Sequence, residues 1–73
     1  MNEAYRAKSL RAAELNQDYT SEQLDDLLTV AGWQLTGRHR KQDKVQALLH
    51  LEGHKVQPEI LAPLKLVQLE GVL

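Results

Sequence analysis

Apolar residues recur with helical spacing in the sequence YTSEQLDDLLTVAGW. Thr20 is a favoured N-cap residue, and Gln23 follows three positions later, as a capping box requires. Tyr19 precedes the cap and can pack on the helix as a hydrophobic staple, while Gly32 can adopt the left-handed conformation that ends a helix. The pattern predicts one helix with an apolar face at positions i, i+3, i+4 and i+7: Leu24, Leu27, Leu28 and Ala31.

A second helical pattern follows in KQDKVQALLHLEG. Val45, Leu48 and Leu49 repeat the same spacing, and Gly53 supplies a second stop. The loop between the two helices contains Gly37. These signals predict a helix–loop–helix unit.

The C-terminal sequence QPEILAPLKLVQLEGVL permits two interpretations. Pro58 suits a first helical position, and Pro63 either kinks one helix or starts a second. LKLVQLE also alternates in part, as a strand does. Because a lone strand would have no partner, we expect a helix with this apolar stripe: Ile60, Leu61, Leu64 and Val67, with Leu69 as a further candidate member.

The first 18 residues contain good helix formers but few large apolar groups, namely Tyr5, Leu10 and Leu15. A helix of that length is marginal in water unless it packs on something. The segment is therefore either a frayed arm or an arm that orders on a partner. We predict an all-α fold of three to four helices, with a flexible N-terminal arm over 1–18 and a small helical domain over 19–73.

The composition limits the kind of protein. Seventy-three residues form one domain at most, and no cysteine is present to make a disulfide or a thiolate metal site. No apolar run approaches the roughly 20 residues that cross a membrane, and the N-terminus does not resemble a secretory signal. We expect a monomer in the cytoplasm.

Charge is unevenly distributed although its sum is only -1. Residues 17–31 carry acidic side chains without a basic one, whereas LTGRHRKQDK concentrates basic ones. The chain therefore lacks the overall basic excess of a strong non-specific nucleic-acid binder. A local phosphate contact is still compatible with four basic residues: Arg38, Arg40, Lys41 and Lys44.

The sequence offers little for catalysis. No serine is placed beside a histidine, and neighbouring Asp25 and Asp26 point in different directions on a helix. His50 and His54 are separated by Gly53, which should end their helix, and no third metal ligand is evident. We predict no enzyme activity, no catalytic residue, no metal, no cofactor and no small-molecule substrate.

Aromatic residues are few. Trp33, directly after Gly32, is interpreted as a plug that folds back on Leu28, with a binding hot spot as the less favoured alternative. Tyr5 has no local structural explanation and is the better candidate for an exposed anchor.

The helix–loop–helix unit resembles the SAP and LEM/HeH family of small helical modules. The resemblance rests on Gly32-Trp33, Thr36-Gly37, Lys41, Asp43, Val45, Leu48 and Leu49. It covers less than half of the chain and departs from the family pattern by two extra residues at Arg38-His39 and by Lys44 in place of a leucine. SAP modules commonly bind DNA, so the resemblance implies, as an alternative function, phosphate contacts by Arg38, Arg40, Lys41 and Lys44.

The whole chain, with its opening MNEAYRAKSLRAAELNQDY, also resembles small phage-encoded regulators that bind bacterial RNA polymerase. This resemblance implies a non-catalytic protein that docks on the catalytic subunits of the host polymerase and disturbs sigma-factor engagement. It would thereby inhibit initiation and could promote antitermination. The protein-binding residues that we predict lie in the arm and the basic loop: Tyr5, Arg6, Lys8, Leu10, Arg11, Leu15, Arg38, Arg40 and Lys41.

Overall fold

The computed structural model of the chain describes residues 3–70. The described part is mostly helical, as predicted, but it also contains a two-stranded sheet and is therefore not all-α. No helix among these residues has the length and apolar character needed to cross a bilayer. The elements in chain order are α1 Glu3–Asp18, α2 Ser21–Val30, β1 Trp33–Leu35, α3 Lys41–Leu51, α4 Pro58–Leu61 and β2 Leu66–Gln68.

Helix α2 begins and ends where its sequence predicts. The Thr20 hydroxyl accepts a hydrogen bond from the Gln23 backbone at 3.1 Å, and the Gln23 side chain accepts one from the Thr20 backbone at 2.8 Å. Gly32 follows the helix with a φ of 88°, which favours glycine because it lacks a Cβ. The predicted capping box and stop are confirmed.

Helix α3 ends at the predicted glycine stop. Gly53 has a φ of 92°, and the His54 backbone donates to the Leu49 carbonyl at 2.9 Å. At its start, the Asp43 carboxylate accepts a hydrogen bond from the Arg40 backbone at 3.1 Å. Arginine has no side-chain acceptor, so this is one half of a capping box.

The predicted C-terminal helix is wrong beyond Leu61. Helix α4 ends two residues before Pro63, which lacks the N–H that a helix would use. The chain then forms β2, which pairs antiparallel with β1 so that Val67 lies opposite Gln34. The partner that a strand needs is thus supplied by Trp33–Leu35, separated from the end of α2 by two residues, where the sequence predicts a helix end and a loop.

Trp33 belongs to that strand and does not plug the core. It is half-buried at the start of β1, opposite Gln68. In the described part of the chain, it is absent from both the buried cluster and the half-buried residues around it. Trp33 instead takes part in the pairing of β1 with β2.

The core is a single cluster formed mainly by α2 and α3. Helix α1 contributes Leu15, and the segment after α3 contributes Val56. Several half-buried side chains surround the cluster, including Tyr19, Leu61 and Leu66. The buried members are Leu15, Leu24, Leu28, Val45, Ala47, Leu48, Leu49 and Val56.

The N-terminal region differs from the predicted arm. Residues 3–18 form α1, and Leu15 is fully buried with Ala12 packed against the same core. The structural domain therefore extends across the predicted boundary at residue 18, because one leucine reaches the core. Flexibility of the first turns stays a prediction.

Candidate protein-binding surface

The residues predicted to bind a partner separate into two groups. One group makes contacts inside the domain, and Arg11, Leu15 and Lys41 belong to it. The other group is exposed or half-exposed on the first turns of α1 and in the loop before α3. Its members are Tyr5, Arg6, Lys8, Leu10, Arg38 and Arg40.

Arg11 joins α1 to the end of α3. Its Nε and Nη2 atoms donate to the Glu52 carboxylate at 2.9 and 2.8 Å, and its Nη1 atom contacts Glu14. The hydrogen bond to Glu52 is the main cause that raises the pKa of Arg11, with partial burial acting in the opposite direction. Arg11 is therefore engaged within the domain rather than offered to a partner.

Two lysines of residues 35–44, which we call the basic segment, also make contacts inside the domain. Lys41 Nζ donates to the Asn16 carbonyl at 2.6 Å and so caps the C-terminal end of α1. Lys44 Nζ lies 2.9 Å from the Asp25 carboxylate and donates to the Ser21 hydroxyl at 2.7 Å. The opposite charges of residues 17–31 and 38–44 thus partly meet inside the domain.

The loop before α3 presents the two remaining cations of the basic segment. Gly37 turns the chain with a φ of 85°. The His39 ring packs inward, with Nε2 2.6 Å from the Thr36 carbonyl and Nδ1 3.8 Å from the Asp43 carboxylate. Arg38 and Arg40 flank this histidine and are exposed.

The first turns of α1 carry large exposed apolar side chains. Tyr5 is 59% exposed and Leu10 is 63% exposed. Five residues at about 100° each place them roughly 140° apart around the helix. They do not form one patch, and a partner that contacted both would have to reach around the helix.

Two open grooves border these regions. One, of about 630 Å³, lies beside α2 and the loop and contains the engaged pair Asp25 and Lys44 together with Arg38. The other, of about 460 Å³, lies between the start of α1 and the segment that follows α3. We call the second the α1 groove and define it by four side chains: Tyr5, Lys8, His54 and Lys55.

Half of the α1 groove is not predicted from the sequence. From the sequence, His54 is a candidate only for metal binding, and no binding role is predicted for Lys55. The sequence does carry a signal, because His54 and Lys55 directly follow the helix-ending Gly53 with no acidic residue between them. The sequence alone does not show that this segment lies beside α1, because His54 is 46 residues away from Lys8 along the chain.

Within residues 3–70, no group of three or more histidine, cysteine, aspartate or glutamate side chains is placed to hold a metal ion. Comparison with protein-family models, curated proteins and solved structures found no match to the chain.

Proposed function

We propose that the chain is a non-catalytic transcription regulator that binds the catalytic subunits of bacterial RNA polymerase. By occupying a surface that the sigma factor needs, it inhibits initiation, and the same contact can favour antitermination. The idea comes from the resemblance of the sequence to small phage-encoded regulators. A chain of 73 residues can act in this way because competition requires only an interface of about 800 Å² per partner.

The observation that carries the proposal is the exposure of the first turns of α1. Tyr5 and Leu10 stand largely in solvent, and Arg6 and Lys8 are interspersed with them. Exposed aromatic and arginine side chains are enriched among the residues that dominate protein–protein binding. A helix with side chains of this kind on more than one side suits a cleft in a larger partner.

Binding to purified bacterial core polymerase tests the proposal directly. Tyr5→Ala should weaken binding by on the order of tenfold or more, because truncating an aromatic anchor removes a central contact. Val30→Ala is the matched control, since Val30 is 82% exposed but lies at the end of α2. Absence of binding by the unmodified chain, or equal affinity of both variants, would contradict the proposal.

A competition experiment addresses the mechanism. The chain should displace sigma factor from the holoenzyme and reduce promoter-dependent initiation, while elongation from a preassembled complex continues. If the chain binds core polymerase but leaves sigma binding and initiation unchanged, interference with sigma-factor engagement is wrong and only the interaction stands.

Nucleic-acid binding by a SAP-like module is the weaker alternative. Of its four predicted cations, Lys41 and Lys44 are engaged inside the domain, which leaves Arg38 and Arg40. Two exposed arginines supply little of the counterion release that drives DNA binding. Replacing both by alanine should abolish any DNA binding seen at low salt, and no binding by the unmodified chain would remove this alternative.

A further inference from the structure

The α1 groove is built by the turn that ends α3. Gly53 reverses the chain, and Val56, only 6% exposed, fixes the following segment to the core. Lys55 precedes this buried residue and is itself exposed on the groove side. The segment thus forms one wall, and the first turns of α1 form the other.

Positive charge enters the groove from both walls without internal neutralisation. Lys8 comes from α1 and Lys55 from the opposite wall. His54, directly before Lys55 in the sequence, also lines the groove. Within the described residues, neither lysine forms an ion pair. Among residues 3–70, no aspartate or glutamate lines the groove, and the nearby Glu52 is already bound by Arg11.

The groove beside α2 provides an internal contrast. It also contains two cationic side chains, but Lys44 is held by Asp25. One of its two positive charges is therefore neutralised within the domain, while Arg38 stays exposed. In the α1 groove, by contrast, neither Lys8 nor Lys55 forms an ion pair with another described residue.

We propose that the α1 groove binds an acidic peptide segment of the partner protein, with carboxylates between Lys8 and Lys55 and an apolar side chain against Tyr5. This inference rests on the proposed function, because it specifies the chemistry of the polymerase segment that is bound. A polynucleotide is the less suitable polyanion, since two lysines release few counterions and the chain as a whole carries a charge of -1. A short acidic peptide needs only the two cationic walls and the aromatic side chain.

Matched charge reversals test the groove in the full chain. Lys8→Glu with Lys55→Glu changes the net charge by as much as Arg38→Glu with Arg40→Glu, so the comparison holds the total charge constant and varies the location of the reversal. The groove variant should bind core polymerase at least about tenfold more weakly, and the loop variant much less so. Equal losses in both variants would overturn the groove assignment in favour of general charge steering.

A separate probe distinguishes failure of this inference from failure of the proposed function. The probe is a synthetic 12-residue peptide of glutamates with one central phenylalanine, titrated into the isotope-labelled chain and followed by NMR. Amide shifts should concentrate at residues 4–8 and 53–57 and disappear in the Lys8→Gln, Lys55→Gln variant, whose thermal unfolding confirms that it is folded. Shifts centred on residues 38–40, or no shifts, would overturn the inference.

The remaining outcomes are also decisive. Peptide binding in the groove without any polymerase binding would support the groove chemistry and reject the proposed function. Polymerase binding that is insensitive to both groove variants would reject the groove and leave the proposed function standing. Displacement of the peptide by an equally charged single-stranded oligonucleotide at the same or lower concentration would overturn the choice of a peptide.

Discussion

The two halves of α1 belong to one helix but to different environments. The second half contains Leu15, which is fully buried, and Arg11, which is bound to Glu52, the residue that follows α3. The first half contains Leu10, which is 63% exposed, and Arg6, which is exposed and has no ion pair within the described residues. Each half therefore has one leucine and one arginine, and both are engaged within the domain in the second half but exposed in the first.

The difference separates what holds α1 in place from what α1 offers to a partner. A short helix of this composition is marginal alone, so its second half must be stabilised by packing. Once Leu15 and Arg11 hold the second half in place, the first half only has to continue an existing helix, which costs less free energy than starting a new one. Binding side chains on a fixed helix lose less conformational entropy than those on a free arm.

Truncation at two points should give the largest contrast between the halves. Removing residues 1–9 leaves both anchors, so the urea midpoint should change little. Removing residues 1–16 deletes Leu15 and Arg11. The free energy of unfolding should then fall by more than the roughly 2–5 kcal/mol that a buried leucine-to-alanine change costs. Since small domains are stable by only about 5–15 kcal/mol, the shorter chain should be largely unfolded at 37 °C by circular dichroism. Equal midpoints would show that α1 acts as one detachable arm.

The same leucine-to-alanine change at two positions should give the next largest contrast. Leu15→Ala should destabilise the domain by about 2–5 kcal/mol, because it leaves a cavity in the core. Leu10→Ala should stay within about 0.5 kcal/mol, because its side chain is already in water. Urea denaturation of both variants measures the difference. A large loss in Leu10→Ala would indicate an intramolecular contact for the first half.

The sequence was most informative where local chemistry decides the structure. The capping box at Thr20 and Gln23 and the glycines after α2 and α3 were all predictable, since each acts within a few residues. The burial of Leu24 and Leu28 also followed from helical spacing. Short-range signals of this kind need no knowledge of the rest of the chain.

Features that depend on distant partners were not predictable. Strand β2 required Trp33–Leu35, about 30 residues earlier, and Leu15 required a core assembled by later helices. The candidate site divides in the same way. Tyr5 is exposed and its role as an anchor stays a prediction, whereas Lys55 joins Lys8 only through the fold. A basic residue in a sequence does not reveal whether its counter-charge lies inside the same domain, as for Lys44.

Replacing Arg11 or Arg6 by glutamine should give the smallest measurable contrast in stability between the two halves of α1. Arg11→Gln should cost about 1 kcal/mol, because it removes a two-pronged, partly exposed bond to Glu52, while Arg6→Gln should cost less than about 0.5 kcal/mol. Because the pKa of Arg11 is raised in the folded state, its contribution is complete below the ordinary pKa of arginine and is lost only at still higher pH. Titration of Arg11 should therefore not alter the difference between about pH 6 and pH 9. A double-mutant cycle with Glu52→Gln, measured by urea denaturation, isolates the pair. A coupling energy of zero would mean that the Arg11–Glu52 pair does not help to anchor the second half of α1.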